Sequence, residues 1–178
     1  MSTRIVAALA VLLALAIGPV SATAPVPRKS PELTITDSAS GKQMRLSGFS
    51  GKVVVVEFLV TNCPHCLRVA QTLAKLQWEL GSRGFQSIGV AFDKNISPQK
   101  AGDFAKLLAV SYPVGYTSSD KVDSYLGREA DQRFRVPQIV VIDRKGMIRA
   151  QSQPIAEKNL EDENYLRSLI DALLKEAP

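Results

Sequence analysis

Cysteine, histidine and tryptophan are scarce: the 178 residues hold two, one and one of them. Two thiols cannot build a disulfide-dense mini-scaffold, and they cannot supply a four-cysteine zinc site. Aromatic residues make up only 6% of the chain and no run of basic residues appears. With 22 Lys and Arg against 17 Asp and Glu, the net charge of +5 describes a solvated surface and excludes nucleic acid as the expected partner. No internal repeat and no low-complexity segment is found beyond the leader. What is present is a 46% hydrophobic chain with mixed charge, too apolar for disorder and long enough for one globular domain with a tail.

The front of the chain reads as an address. Arg4 precedes thirteen apolar residues from Ile5 to Ile17, then Gly18, Pro19 and small residues, the three-part pattern of a secretory signal. Thirteen residues rise only about 20 Å as a helix, short of a roughly 30 Å hydrocarbon core, so a permanent span is the weaker reading. Cleavage fits either after Ala22-Thr23-Ala24, where Pro25 would hinder the peptidase, or before Thr23. Residues 1–22 are expected as the signal peptide and 23–31, with Pro25, Pro27 and Pro31, as a linker. The rest, 32–178, is expected as the folded domain, exported to a periplasmic or other extracytoplasmic space where thiols tend towards disulfides.

Periodicity orders that domain. Leu33 to Thr36 alternates as a short strand, and Gln43 to Leu46 reads as its return. Val53 to Val60 is a near-continuous β-branched run interrupted by one acid, Glu57, which argues for a central strand covered on both faces. From Pro64 the period becomes helical, with Cys66, Val69, Ala70, Leu73, Leu76 and Leu80 on one stripe, and Trp78 expected as a packing residue of that helix. Gly81 and Gly84 end it. Gln86 to Phe92 is a second strand, which makes a parallel pair. A helix from Ser97-Pro98 puts Phe104, Leu107 and Leu108 on its apolar side. Tyr112 to Tyr116 reads as a strand, Asp120 to Gly127 as a short helix, and Ile139 to Asp143 with Met147 to Ala150 as a hairpin. Leu160 to Lys175 is an amphipathic closing helix.

The chemistry lies where the covered strand gives way to a helix, at Asn62-Cys63-Pro64-His65-Cys66. Cys63 falls at the helix cap, where unpaired amides and the positive end of the macrodipole favour an anion. Pro64 suits the first helical position, where its missing N–H leaves nothing unpaired. A cap of this kind can lower a thiol pKa from about 8.5 into roughly 3.5–7.5, which makes Cys63 both attacking thiol and good leaving group, with Cys66 one turn on to resolve. His65 is expected to add positive charge beside it. A purely structural disulfide would close too small a loop to matter. Haem attachment fails because Leu67 follows Cys66, and zinc lacks ligands because His65 is the sole imidazole. Glu57, six residues before Cys63, is either a buried acid that relays a proton for Cys66 or a partly solvated residue without a role. From spacing alone, Pro137 is an ordinary strand-start proline, or one whose cis bond frees the Val136 backbone to pair with an extended peptide.

The stretch from Gly51 to Cys66, the pair Val136-Pro137 and the following hairpin resemble the thioredoxin superfamily, most of all its exported thiol–disulfide oxidoreductases of the TlpA/ResA type. The resemblance covers nearly all of residues 32–176. It implies an α/β thioredoxin fold, a central mixed sheet flanked by helices, with an extra strand pair at the front and a helical insertion around 97–110. It implies Cys63 as nucleophile, Cys66 as resolving cysteine, Glu57 as the buried acid, Pro137 as a cis-proline facing the cysteines, and Pro64 and His65 as residues tuning the redox pair. No cofactor is implied beyond a Cys63–Cys66 disulfide. Two departures stand out: Asn62 replaces the tryptophan that commonly precedes the first cysteine, and Pro64-His65 and Val136 are similar to strongly oxidising relatives in a branch made mostly of reductants. A further acid of the branch would be Asp93 or Asp103.

The expected activity is dithiol–disulfide exchange with exported cysteine-containing proteins, in the reducing direction, with recharging by a membrane or periplasmic thiol donor. A disulfide-forming oxidant of the same fold is one alternative, and a non-catalytic carrier of copper or in cytochrome maturation the other.

Overall fold

All seven residues of Val53–Leu59 are buried. Side chains alternate across a strand, so Val53, Val55 and Leu59 enter one apolar cluster while Val54, Val56 and Phe58 enter a second. The chain therefore builds two cores on the two faces of one sheet. The computed structural model describes residues 24–128, 135–153 and 159–177, and the expected leader 1–22 lies outside them. The strands are β1 (Arg28–Lys29), β2 (Thr34–Asp37), β3 (Gln43–Arg45), β4 (Val53–Leu59), β5 (Phe85–Ala91), β6 (Val114–Tyr116), β7 (Gln138–Ile142) and β8 (Met147–Gln151). They form a single sheet in the order β1-β8-β7-β4-β5-β6-β2-β3. β4 runs parallel to β5 and antiparallel to β7, which makes the sheet mixed.

Four helices cover it: α1 (Pro64–Leu80), α2 (Pro98–Leu108), α3 (Ser119–Leu126) and α4 (Glu163–Lys175). α1, α2 and α4 feed the cluster around Val55 and Leu73, and α3 feeds the one around Phe58 and Tyr125. Local chemistry sets their ends. Ser97 Oγ accepts the Lys100 N–H at 3.2 Å, and Asp162 Oδ1 accepts the Tyr165 N–H at 2.9 Å; each cap satisfies an amide that has no partner within its helix. The front pair β2–β3 reaches the sheet through β6, where Gly115 is needed. A Cβ there would sit 2.6 Å from the Thr36 carbonyl oxygen.

Several expectations are corrected. The Pro-rich stretch 23–31 is not only a linker, because Arg28 and Lys29 pair with β8 at the sheet edge. Proline is compatible with an edge strand, whose outer amides need no partner. Trp78 does not pack: it is 84% exposed, because it lies 200° round α1 from Leu76 at 100° per residue. Leu107 is likewise 73% exposed, on the flank of α2 rather than on the stripe of Ala101 and Phe104. The last helix begins at Glu163, since Asp162 caps it and Leu160 belongs to a separate short 3-10 turn.

Candidate active site

β4 ends at Leu59, and four residues later the chain turns into α1 at Cys63. That residue is extended, with φ −93° and ψ 115°, and Pro64 is the first helical residue. The Cys63 Sγ accepts the Cys66 N–H at 3.2 Å, so the sulfur itself caps the helix. The approach to the cap is pinned from the side. Asp93, just beyond β5, accepts the Thr61 N–H on both carboxylate oxygens at 3.1 Å and the Thr61 hydroxyl at 2.8 Å.

Depth separates the two thiols. Cys63 is half-buried, Cys66 has no exposed surface, and both are free. A reagent from solvent meets Cys63 first. Across from it lies Val136, joined to the buried Pro137 by a cis peptide bond. The Cys63 thiol donates to the Val136 carbonyl at 3.9 Å. β7 starts directly after this pair and lies against β4, Gln138 opposite Phe58, which is how a residue 73 positions away reaches the cysteine.

Glu57 lies beneath. It shares the face of β4 that carries Val55 and Leu59, the face packed by Cys66. It is fully buried, and neither carboxyl oxygen has a hydrogen-bond partner among the described residues. Burial holds its pKa well above the usual carboxyl range, with Cys63 and Glu161 adding electrostatic repulsion. Burial also pushes the Cys66 thiol up, and the hydrogen bond to Cys63 and the charge of Glu57 push the same way. Tyr112 is raised by burial and by Glu57, and its hydroxyl donates to the Ala70 carbonyl at 3.2 Å. Burial thus raises both the carboxyl and the thiol, which brings the acid closer to the range in which it can act as a proton acceptor for Cys66.

His65 meets a neighbour on its own helix. Its Nδ1 lies 2.7 Å from an Arg68 Nη, and a guanidinium only donates, so the ring accepts at Nδ1 and keeps its proton on Nε2. Of the two acids offered for a further role, Asp93 reaches the site through Thr61, whereas Asp103 is exposed on α2 and bonded to Gln99. Sequence reasoning overlooked Arg68, Tyr112 and Glu161. Arg68 was legible in principle, three and four positions after His65 and Pro64 on one helix face. Tyr112 and Glu161 carry no local signal, since they meet Glu57 only through the fold. Among the described residues no cluster of three or more His, Cys, Asp or Glu could hold a metal ion, and no helix is long and apolar enough to cross a membrane.

The fold is shared with known proteins. The Redoxin family model matches residues 25–169. A candidate protein disulfide isomerase from Bacteroides thetaiotaomicron is 28% identical, with 85% of this chain and 91% of that one covered at a TM-score of 0.67. A candidate thiol:disulfide interchange protein DsbE from Chlorobium tepidum is 22% identical, with 83% and 96% covered at a TM-score of 0.68. A thioredoxin family thiol:disulfide interchange protein from Chlorobium tepidum TLS is 20% identical, with 85% and 99% covered, also at 0.68. The likeness in fold thus runs through most of the chain.

Proposed function

Because the chain belongs to the Redoxin family, with a thioredoxin fold and the oxidoreductase activity that goes with it, we propose that Cys63 and Cys66 are its exchanging pair and that exported cysteine-containing proteins are its clients. The observation that carries this reading is the half-buried Cys63 sulfur capping α1 above a sealed Cys66 and an unpartnered Glu57.

In the reducing direction, the Cys63 thiolate attacks one sulfur of a client disulfide. A Cys63–client bond forms, the client S–S bond breaks, and the departing client sulfur leaves as a thiolate that takes a proton from water. In the mixed disulfide the charge of Cys63 that repels Glu57 is gone, so Glu57 gives up its own proton to solvent and, as a carboxylate, takes the proton of Cys66, whose thiolate attacks Cys63. The Cys63–Cys66 bond forms, the Cys63–client bond breaks, the second client sulfur leaves as a thiolate that takes a proton from water, and two electrons have passed to the client. Oxidation of a client is the same sequence reversed, with Glu57 returning the proton to Cys66. The Val136 carbonyl, beside Cys63, offers an extended client backbone an acceptor of the kind a strand edge provides. Pro64 supports the cap by needing no amide partner in the first turn.

We place the net direction towards reduction, with the oxidised pair recharged by a membrane or periplasmic thiol donor; the TlpA/ResA resemblance supports this and the leader-like front supports export. Cys66→Ser tests the roles. It is expected to accumulate a covalent Cys63–client adduct released by a thiol reductant, while Cys63→Ser yields none and wild type turns over an insulin-reduction assay. Adducts on Cys66 in the Cys63→Ser protein, or tight Cu(I) binding with no exchange, would overturn it.

A further inference from the structure

We propose that Arg68 is a positioning residue that sets the potential of the Cys63–Cys66 pair, supplying a fixed positive charge to the active-site turn and holding the His65 ring by its Nδ1. The proposal rests on the reading of Cys63 as the exchanging thiol. Arg68 lies on the first turns of α1, and its two terminal nitrogens fasten that turn: one donates to His65 Nδ1 at 2.7 Å, the other to the Pro64 carbonyl at 3.4 Å. Both residues of the dipeptide between the cysteines are thereby clipped by one planar fork, which a lysine cannot reproduce in shape but matches in charge.

Two further observations give the charge a purpose. The guanidinium is exposed and makes no ion pair among the described residues, whereas Lys75, Arg83 and Arg167, of α1, its end and α4, each meet a carboxylate. Arg68 is the fifth residue of α1 and its fork reaches back to Pro64 and His65 of the first turn, which holds no acid to pair with it. The charge left for it to complement is the anion that Cys63 becomes at the head of the same helix when the pair is reduced. A charge that stabilises the thiolate stabilises the dithiol form, and so makes the disulfide a stronger oxidant.

The test compares wild type, Arg68→Gln and Arg68→Lys, equilibrated with glutathione and glutathione disulfide near neutral pH and trapped by alkylation. Arg68→Gln is expected to shift the equilibrium constant about tenfold towards the protein disulfide, equivalent to about 30 mV for two electrons, while Arg68→Lys stays within about twofold of wild type. The reduced protein provides a separate readout: iodoacetamide should react with Cys63 several-fold more slowly in Arg68→Gln, and the nitrogen-15 spectrum of His65 should show a single Nε2–H form in wild type that is lost in both variants. Equal equilibrium constants and equal alkylation rates in wild type and Arg68→Gln overturn the proposal, as does an equal loss in both variants, which would make shape and not charge the cause. If wild type forms no disulfide with glutathione, it is the exchange reading that falls, and the alkylation rates still decide the role of Arg68.

Discussion

A carboxyl group without exposure or a hydrogen-bond partner is held neutral by its surroundings, because an unpaired buried charge is far costlier than a buried acid. For Glu57 this links catalysis to stability. Its folded pKa lies above its unfolded one, so the stability it contributes is complete below about pH 4 and is lost as pH rises through the folded value. Glu57→Gln is isosteric and never ionises. The variant is expected to melt with wild type near pH 4 and to be more stable by about 1–3 kcal/mol above neutral pH, while the Cys63–client adduct persists several-fold longer because Cys66 has lost its base. Melting curves at the two pH values and quenched time courses of adduct release check both halves; parallel melting at every pH would show that Glu57 is solvated, and unchanged release would remove it from the proton path. At this scale the sequence announced what is local. A Cys-x-x-Cys pair at a strand–helix junction and an acid inside a valine run are patterns of neighbours. Asp93 holding Thr61 and Tyr112 facing Glu57 join residues dozens of positions apart, and no spacing rule reports such pairs.

Elements repeat the contrast. Stripes and caps were legible because a helix makes residues three and four apart neighbours: the run from Cys66 to Leu80 is buried as its period requires, and Ser97 caps where Ser-Pro says it should. Trp78 and Leu107 were misplaced because hydrophobicity was given more weight than angle. The end of α2 was not legible at all. Ala109 is left-handed there, φ 47°, at the cap position where glycine is the usual residue. Since a Cβ disfavours that conformation, Ala109→Gly is expected to stabilise the protein by about 0.5–1 kcal/mol, read as a shift of the denaturation midpoint with unchanged slope. A destabilised variant would mean that the added freedom of the unfolded chain outweighs the relief.

For the molecule as a whole, the sheet order was foreseeable in its middle and not at its edge. The parallel pair β4–β5 and the hairpin β7–β8 follow from runs long enough to show a period, but a two-residue strand shows none. Side-chain contacts reinforce the short pairing of β1 with β8: Arg28 donates to the Tyr125 carbonyl at 2.9 Å and to Gln151 Oε1 at 2.7 Å, and its guanidinium lies over the Tyr125 ring. Arg28→Ala is expected to cost about 1–3 kcal/mol and to expose the 24–31 segment to proteases, with the alkylation rate of Cys63 unchanged; unaltered protease resistance would show that β1 stays in place without it. The depth difference between the two sulfurs has a consequence for every mixed disulfide the protein forms. A small thiol or a stray client that forms a mixed disulfide bonds to the same outer atom, within reach of the same hidden partner. The molecule can therefore shed any partner held through an S–S bond, and each release ends in the same Cys63–Cys66 disulfide, so a single recharging reaction clears them all.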